Sequence, residues 1–232
     1  MIGTTARIDP QLVAALTGSI FPAGVGIAAR DPAGVPGAVD PSEAPALEGA
    51  VPRRKAEFYA GRAAARAAMV QLGLPPLPVP SDLDRSPIWP TGLVGTISHS
   101  VTACVAVIGA STQWSSLGVD LEEDTPLAAD LMDVVCGQAE LTWLDEQPAA
   151  ERGLMAKLIF CAKEATYKTQ YPLTGAVFGF DHLEVTINRA ETEFSACFLA
   201  PAGEFVAGDV LAGRFAHAAG MLVTGVALQQ GG

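Results

Sequence analysis

The chain has 232 residues, 50% hydrophobic and 17% charged, which is enough for one large or two small cores and predicts a compact globular protein, not a disordered one. A net charge of −11 excludes a general nucleic-acid binder, which needs a basic face to neutralise phosphates. No run of about twenty apolar residues is present, which excludes a membrane-spanning helix. Residues 1–7 lack a charged start followed by an apolar core, so no signal peptide and a cytoplasmic location are expected. Cys104, Cys136, Cys161 and Cys197 are scattered through apolar surroundings, a pattern that predicts free buried thiols rather than disulfides or a zinc site.

Residues 22–52, rich in Gly, Pro and Ala, read as loops. Residues 53–73 read as the first helix, with Phe58, Ala65, Met69 and Leu72 as its apolar stripe and Gly73 as its C-cap. Arg54, Lys55 and Arg62 are expected to share a face of it. A proline-rich loop over 74–92 ends in Arg85-Ser86-Pro87-Ile88-Trp89-Pro90. Three strand-like runs follow, Val94–Ile97, Ala103–Ile108 and Leu117–Glu122, and their short links predict an antiparallel meander. Ser98-His99-Ser100 lies between the first two. One or two short helices are expected over 126–147 and a longer one over 152–170. Strand signals recur at Leu183–Ile187, Phe194–Leu199, Phe215–Ala218 and Met221–Leu228. This order predicts an α+β fold of two similarly built halves, 1–115 and 116–232, each with helices packed on a small antiparallel sheet.

Two acidic segments carry the chemistry. In Gly118-Val119-Asp120-Leu121-Glu122 the strand period puts Asp120 and Glu122 on one face. In Lys163-Glu164-Ala165-Thr166-Tyr167-Lys168 the helical period puts Glu164 and Lys168 one turn apart on one face. Three carboxylates suit a hard divalent cation and two ammonium groups suit phosphate, which points to Mg²⁺-dependent phosphoryl chemistry. The plainer alternatives are a solvated acidic strand face and an ordinary i,i+4 Glu–Lys pair, worth about 0.2–0.5 kcal/mol. The only lysines are Lys55, Lys157, Lys163 and Lys168, and Arg53, Arg54, Arg62, Arg66 and Arg85 lie near the first of them. An acidic chain that gathers its cations in two segments reads as a binder of a small anion, with Arg53, Arg66 and Lys157 equally readable as solvated helix charges. His99 reads either as structural or as a donor to a phosphate oxygen. His182 and His217 have no supporting context. The glycines form neither a phosphate-binding P-loop nor a dinucleotide fingerprint, and the Ser–His neighbours form no hydrolase elbow.

Four segments in order carry a resemblance: Arg54-Lys55-Ala56-Glu57-Phe58 with Gly61-Arg62; Pro87 to Gly92 with Gly95 to Ser100; Gly118 to Glu122; and Phe160 to Lys168. The series closely resembles the larger, single-chain 4′-phosphopantetheinyl transferases, in particular the branch containing the enterobactin synthase component D enzymes. It spans about residues 50–170. The resemblance implies an active site between two pseudo-symmetric halves, the N-terminal one on the adenosine side and the C-terminal one on the metal and pyrophosphate side. It implies coenzyme A as donor, a serine of an acyl, peptidyl or aryl carrier protein as acceptor, and 3′,5′-adenosine bisphosphate as the product released. Polyketide, nonribosomal-peptide or siderophore biosynthesis is the implied setting.

By the same resemblance Asp120, Glu122 and Glu164 hold Mg²⁺, and Lys163 and Lys168 meet the pyrophosphate. Arg54, Lys55, Arg62 and His99 address the 3′-phosphate region, Ser98 is a further coenzyme A contact, and Arg85, Ser86 and Pro87 lie along the adenine. Asp120, Glu164 and Lys168 are the expected catalytic residues, with Glu164, Glu122 or a water on the metal as the base. Cys161 replaces a serine found in many relatives, and Ser86 a lysine found in some. A monomer with no nucleic-acid or membrane partner is expected. The rival readings are a Mg²⁺-dependent pyrophosphate or nucleotide hydrolase and a non-catalytic carrier-binding protein. The helical region Leu131–Leu144 is the candidate docking patch for the carrier.

Overall fold

A computed structural model describes residues 8–34 and 40–231; residues 1–7, on which the signal-peptide expectation rests, lie outside it. The fold is α+β, with five α-helices and two antiparallel sheets among the described residues. Helix α1 (Pro10–Gly18) starts where Asp9 Oδ1 accepts a hydrogen bond from Gln11 N at 2.9 Å and Pro10 occupies the first turn. Strand β1 (Val25–Arg30) follows, then a 3₁₀ turn at Ala44–Leu47 and the long helix α2 (Pro52–Gln71). Gly73 ends α2 at φ 73°, with Leu74 N bonded to Met69 O and Gly73 N to Val70 O, a Schellman cap. Strands β2 (Leu93–His99) and β3 (Cys104–Ala110) form a hairpin, and β1 joins the far side of β3 to give the order β1-β3-β2.

After strand β4 (Trp114–Glu123) come α3 (Ala129–Val135), α4 (Gln138–Asp145) and α5 (Arg152–Thr174). Strands β5 (Leu183–Asn188), β6 (Glu193–Phe198), β7 (Val210–Ala218) and β8 (Met221–Gln229) complete the second sheet, ordered β4-β8-β7-β6-β5. All pairings within both sheets are antiparallel. No helix among the described residues is long and apolar enough to cross a membrane. All four cysteines are free; Cys104, Cys136 and Cys161 are buried and Cys197 is half-buried.

Two expectations are corrected. The stretch 22–52 is not all loop: β1 and the 3₁₀ turn lie in it. The run Val-Gly-Ile-Ala-Ala-Arg carries little β-branched signal, and its strand character comes from pairing with β3. The expected meander also breaks at its third strand, because β4 pairs with β8, not β3. Instead β4 runs beside β2 in the same direction, joined by side chains. Thr96 Oγ1 accepts from Val119 N at 3.2 Å, and Ser98 Oγ accepts from Leu121 N at 3.2 Å. A core of Val13, Phe21, Val105, Val107, Leu117, Val119, Leu121 and Val223 fills the space where the two sheets meet.

Each long helix lies against a glycine in a strand. A Cβ on Gly26 would lie 2.2 Å from Ala68 O of α2, and one on Gly118 would lie 2.1 Å from Ala165 O of α5. The absent side chain at Gly118 therefore lets α5 reach the strand that carries Asp120. Gly118→Ala should cost about 1–3 kcal/mol by overpacking and lower the midpoint of thermal unfolding by several degrees, at roughly 2–4 °C per kcal/mol for a chain of this size. An unchanged midpoint would show that α5 can back away freely.

Candidate active site

A cleft of about 950 Å³ opens between α2, the loop 81–89, the end of β2 and the C-terminal half of α5. From the N-terminal side it is lined by Arg54, Glu57, Phe58, Arg62, Thr96 and His99, and from the other by Tyr167, Lys168 and Tyr171. Arg85, Ser86 and Pro87 form part of its wall. Arg85 holds a positive φ of 72° in a turn fixed by Asp82 N to Ser86 O and Arg85 N to Asp82 O. The Tyr171 hydroxyl donates to Asp84 Oδ2 across the opening. That bond, with those from Ser86, pulls the Asp84 carboxyl down to about 2.

Arg62 is 6% exposed, lies 4.4 Å over the Phe58 ring, and donates from Nη2 to Ser81 Oγ at 2.9 Å. Its Nε is buried without a partner. Burial pushes its pKa down to about 10, so the guanidinium remains charged at neutral pH with a donor unsatisfied. Arg54 Nη1 lies 2.8 Å from His99 Nε2. An arginine can only donate, so the imidazole accepts and is neutral there. Burial lowers the pKa of His99, Arg54 and Lys168 lower it further, and Glu57 and Asp120 oppose them. Glu57, buried behind these groups, takes Arg53 Nε at 2.8 Å and lies 3.7 Å from Arg54 and 3.8 Å from His99 Nδ1. Sequence pattern alone gives Glu57 no role. Lys55 does not line the cleft; it is one position round the helix from Arg54, about 100° away.

On the inner side of the cleft Lys168 Nζ donates to Asp120 Oδ1 at 2.6 Å and to Ser98 Oγ at 3.1 Å. Burial disfavours the ammonium, but the Asp120 carboxylate more than offsets it, and the Lys168 pKa is raised. Ser98 Oγ donates to Asp120 Oδ1 at 2.9 Å. Ser98 is buried. Glu164, Tyr167, Lys168 and Tyr171 share the half-buried face of α5. Glu164 makes no hydrogen bond to a described residue. Burial raises its pKa, Lys168 opposes this, and Asp120 and Glu122 raise it further. The pKa of Glu122 is likewise raised, first by burial, against its bond to Lys157 Nζ at 2.9 Å.

Asp120, Glu122 and Glu164 are therefore electrostatic neighbours, but no group of three or more His, Cys, Asp or Glu among the described residues forms a ready metal cage. Asp120 Oδ1 is held by a lysine, and so is Glu122. The donor chemistry still suits a hard cation: all three side chains offer oxygens, and Asp120 Oδ2 is buried with no partner.

Lys163 does not reach the cleft, contrary to the pyrophosphate role implied for it. It is 1% exposed on the core face of α5, and its ammonium donates to Val135 O at 2.8 Å, Glu140 Oε2 at 2.7 Å and Phe180 O at 3.0 Å. Those bonds use all three of its protons. Of the cations equally readable as solvated, Arg66 and Lys157 are tied to Glu43 and Glu122, and Arg53 pairs with Glu57 while 70% exposed.

The comparisons with known proteins agree with this architecture. Residues 42–109 match the family model for the 4′-phosphopantetheinyl transferase N-terminal domain, and residues 116–216 match that of the 4′-phosphopantetheinyl transferase superfamily. The chain is 36% identical over 192 residues to 4′-phosphopantetheinyl transferase Svp of Streptomyces mobaraensis, covering 81% of this chain and 78% of that one. It is 33% identical over 195 residues to 4′-phosphopantetheinyl transferase PptT of Mycobacterium tuberculosis, covering 81% and 85%. It is 33% identical over 147 residues to enterobactin synthase component D of Escherichia coli K12, covering 62% and 68%. With two consecutive matched segments and relatives of this identity over most of its length, the chain belongs to the 4′-phosphopantetheinyl transferase superfamily.

Proposed function

We propose that this enzyme transfers the 4′-phosphopantetheine arm of coenzyme A to a serine of an acyl, peptidyl or aryl carrier protein. The serine oxygen bonds to the β-phosphorus, the pyrophosphate P–O bond breaks, and 3′,5′-adenosine bisphosphate leaves. The observation that carries this reading is the cleft itself: Arg54, Arg62 and His99 at one side and the Lys168–Asp120 pair at the other. Those two sets of cations suit a ligand that carries both a 3′-phosphate and a diphosphate. In this reading residues 1–115 hold the adenosine end and 116–232 the diphosphate. Arg85, Ser86 and Pro87 flank the base.

Asp120, Glu122 and Glu164 would hold Mg²⁺, which when bound neutralises charge on the diphosphate. Lys168 supplies a fixed positive charge beside the leaving oxygen. Glu164 takes the serine proton; it is favoured over Glu122, whose oxygen is bonded to Lys157.

Incubating the protein with coenzyme A, Mg²⁺ and a carrier domain tests the reading. A carrier mass increase of one phosphopantetheine arm is the expected result. Free phosphopantetheine with an unmodified carrier would instead support a hydrolase, and coenzyme A binding without turnover a non-catalytic carrier binder.

Arg62→Ala should weaken coenzyme A roughly tenfold or more, from the ~1.5–3 kcal/mol of a hydrogen bond to a charged group. Dephospho-coenzyme A should be much less affected. Calorimetry with both ligands checks this, and equal losses would show that Arg62 does not read the 3′-phosphate.

A further inference from the structure

We infer that Tyr171 is a positioning residue: through Asp84 its hydroxyl clasps the tip of the 81–89 loop and holds that loop against the adenosine end of the bound ligand. The inference deepens the transferase reading and rests on its assignment of Arg85, Ser86 and Pro87 to the base. The ends of the loop are anchored within the N-terminal half. Ile88 N donates to Pro80 O at 2.9 Å, Ser81 and Pro87 form an antiparallel bridge, and Ser81 Oγ accepts from Arg62 Nη2 at 2.9 Å. The tip is held differently. Among the described residues every hydrogen bond of 82–86 stays inside the tip except one, donated by the Tyr171 hydroxyl of α5 to Asp84 Oδ2. Leu83 and Arg85 are exposed, so burial does not hold the tip instead.

The turn itself needs a hold. Arg85 has a φ of 72°, left-handed backbone that a residue other than glycine adopts at a cost and keeps only where its surroundings fix it. Asp84 does this with both oxygens: Oδ1 accepts from Ser86 N at 2.8 Å inside the turn, and Oδ2 takes the Tyr171 hydroxyl from outside. Tyr171 is itself braced. Its ring stacks on Tyr167 with centroids 5.6 Å apart, and Tyr167 meets Phe178 edge-on at 5.3 Å. The hydroxyl is thus presented from a fixed post on the C-terminal half. Asp84, Arg85, Ser86, Tyr167 and Tyr171 all line the cleft, so the bond joins its two walls. A base seated against Arg85, Ser86 and Pro87 then meets a wall that does not give way.

The experiment compares Tyr171→Phe, Asp84→Ala and the double variant. It uses calorimetry with coenzyme A and with 3′,5′-adenosine bisphosphate, NMR backbone order parameters of the free protein, and carrier labelling. Tyr171→Phe keeps the ring stack and removes the hydroxyl alone. It should weaken both ligands by about three- to tenfold, the worth of one hydrogen bond. It should also lower the order parameters of residues 83–86 and raise the KM for coenzyme A with kcat undiminished. Asp84→Ala should do the same and somewhat more, because the turn also loses its bond to Ser86 N. The double variant should be no weaker than Asp84→Ala, since both substitutions cut the same bond.

Weaker binding in Tyr171→Phe with an unchanged loop, adding to the Asp84→Ala loss in the double variant, would overturn the inference and make the hydroxyl a direct ligand contact. A loosened loop with both affinities unchanged would overturn it as well, because the tip would then bear on no ligand. A loss of kcat with KM unchanged would place Tyr171 in the chemistry instead and would also overturn it. Failure of the wild-type protein to label any carrier would sink the transferase reading. The order parameters, which need no ligand, and the two affinities would then still decide whether Tyr171 acts through the loop.

Discussion

Glu164→Gln is expected to abolish most transfer, by roughly 10²–10⁴-fold as for an acid–base residue, and by more if metal is lost with it. The substitution keeps the volume and removes the charge. Among the three acids Glu164 is the one with no hydrogen bond to a described residue, and it lies one helical turn from Lys168 on the same face of α5. A carboxylate in that position can accept a proton without first releasing a partner. Glu122 is already bonded to Lys157 at Oε2, and Asp120 to Lys168 and Ser98 at Oδ1, which leaves each with one oxygen to offer where Glu164 has two. Glu122→Gln should therefore cost less than Glu164→Gln. The rate of carrier mass gain, with circular dichroism confirming the fold, gives the comparison. Turnover near wild type in Glu164→Gln would remove that residue from the chemistry.

Lys163→Met should destabilise the protein by about 3–5 kcal/mol, because removing one partner of a buried ion pair leaves the other charge stranded. Lys163 and Glu140 each have about 1% of their side chain exposed, so solvent cannot compensate. Glu140 is the hub of this region: Oε2 also accepts from Gly137 N at 2.6 Å and Oε1 from Val185 N at 2.7 Å. Glu140→Ala should be at least as damaging, since it orphans two backbone donors besides the ammonium. Pairing Lys163→Met with Glu140→Gln should recover part of the loss, because the amide oxygen can still serve one backbone donor and no charge is left behind. Urea unfolding of the three variants measures these differences. A Lys163→Met protein of normal stability that binds coenzyme A poorly would restore the pyrophosphate role the sequence suggested.

Much of the second half was legible because its periodicities are clean. The alternation in β4 placed Asp120 and Glu122 together, and the turn of α5 placed Glu164 with Lys168, as observed. Lys163 was misread because adjacency in sequence was taken for adjacency in space, whereas neighbours on a helix point about 100° apart. A signal was available: Ile159, Lys163, Thr166 and Gln170 follow helical spacing, and all four are buried. Its partner, 23 residues away, left no such trace. Strand β1 was missed because its glycine and alanines pack closely under α2 instead of advertising a β-branched face. The junction of β2 with β4 was invisible for another reason. Two hydroxyls replace a backbone ladder there, and no pattern of hydropathy encodes that.

That junction bears on whether the molecule can be divided. Strands β2 and β4 are each the last of their own sheet, and each shields the other's unpaired backbone groups. Cutting the chain in the short link at 111–113 would bare both at once and yield two aggregation-prone fragments. The cut would also leave His99 and Arg62 on one piece and Asp120 and Lys168 on the other. Neither fragment would retain a working centre, and co-expression of the two would be needed to reassemble it.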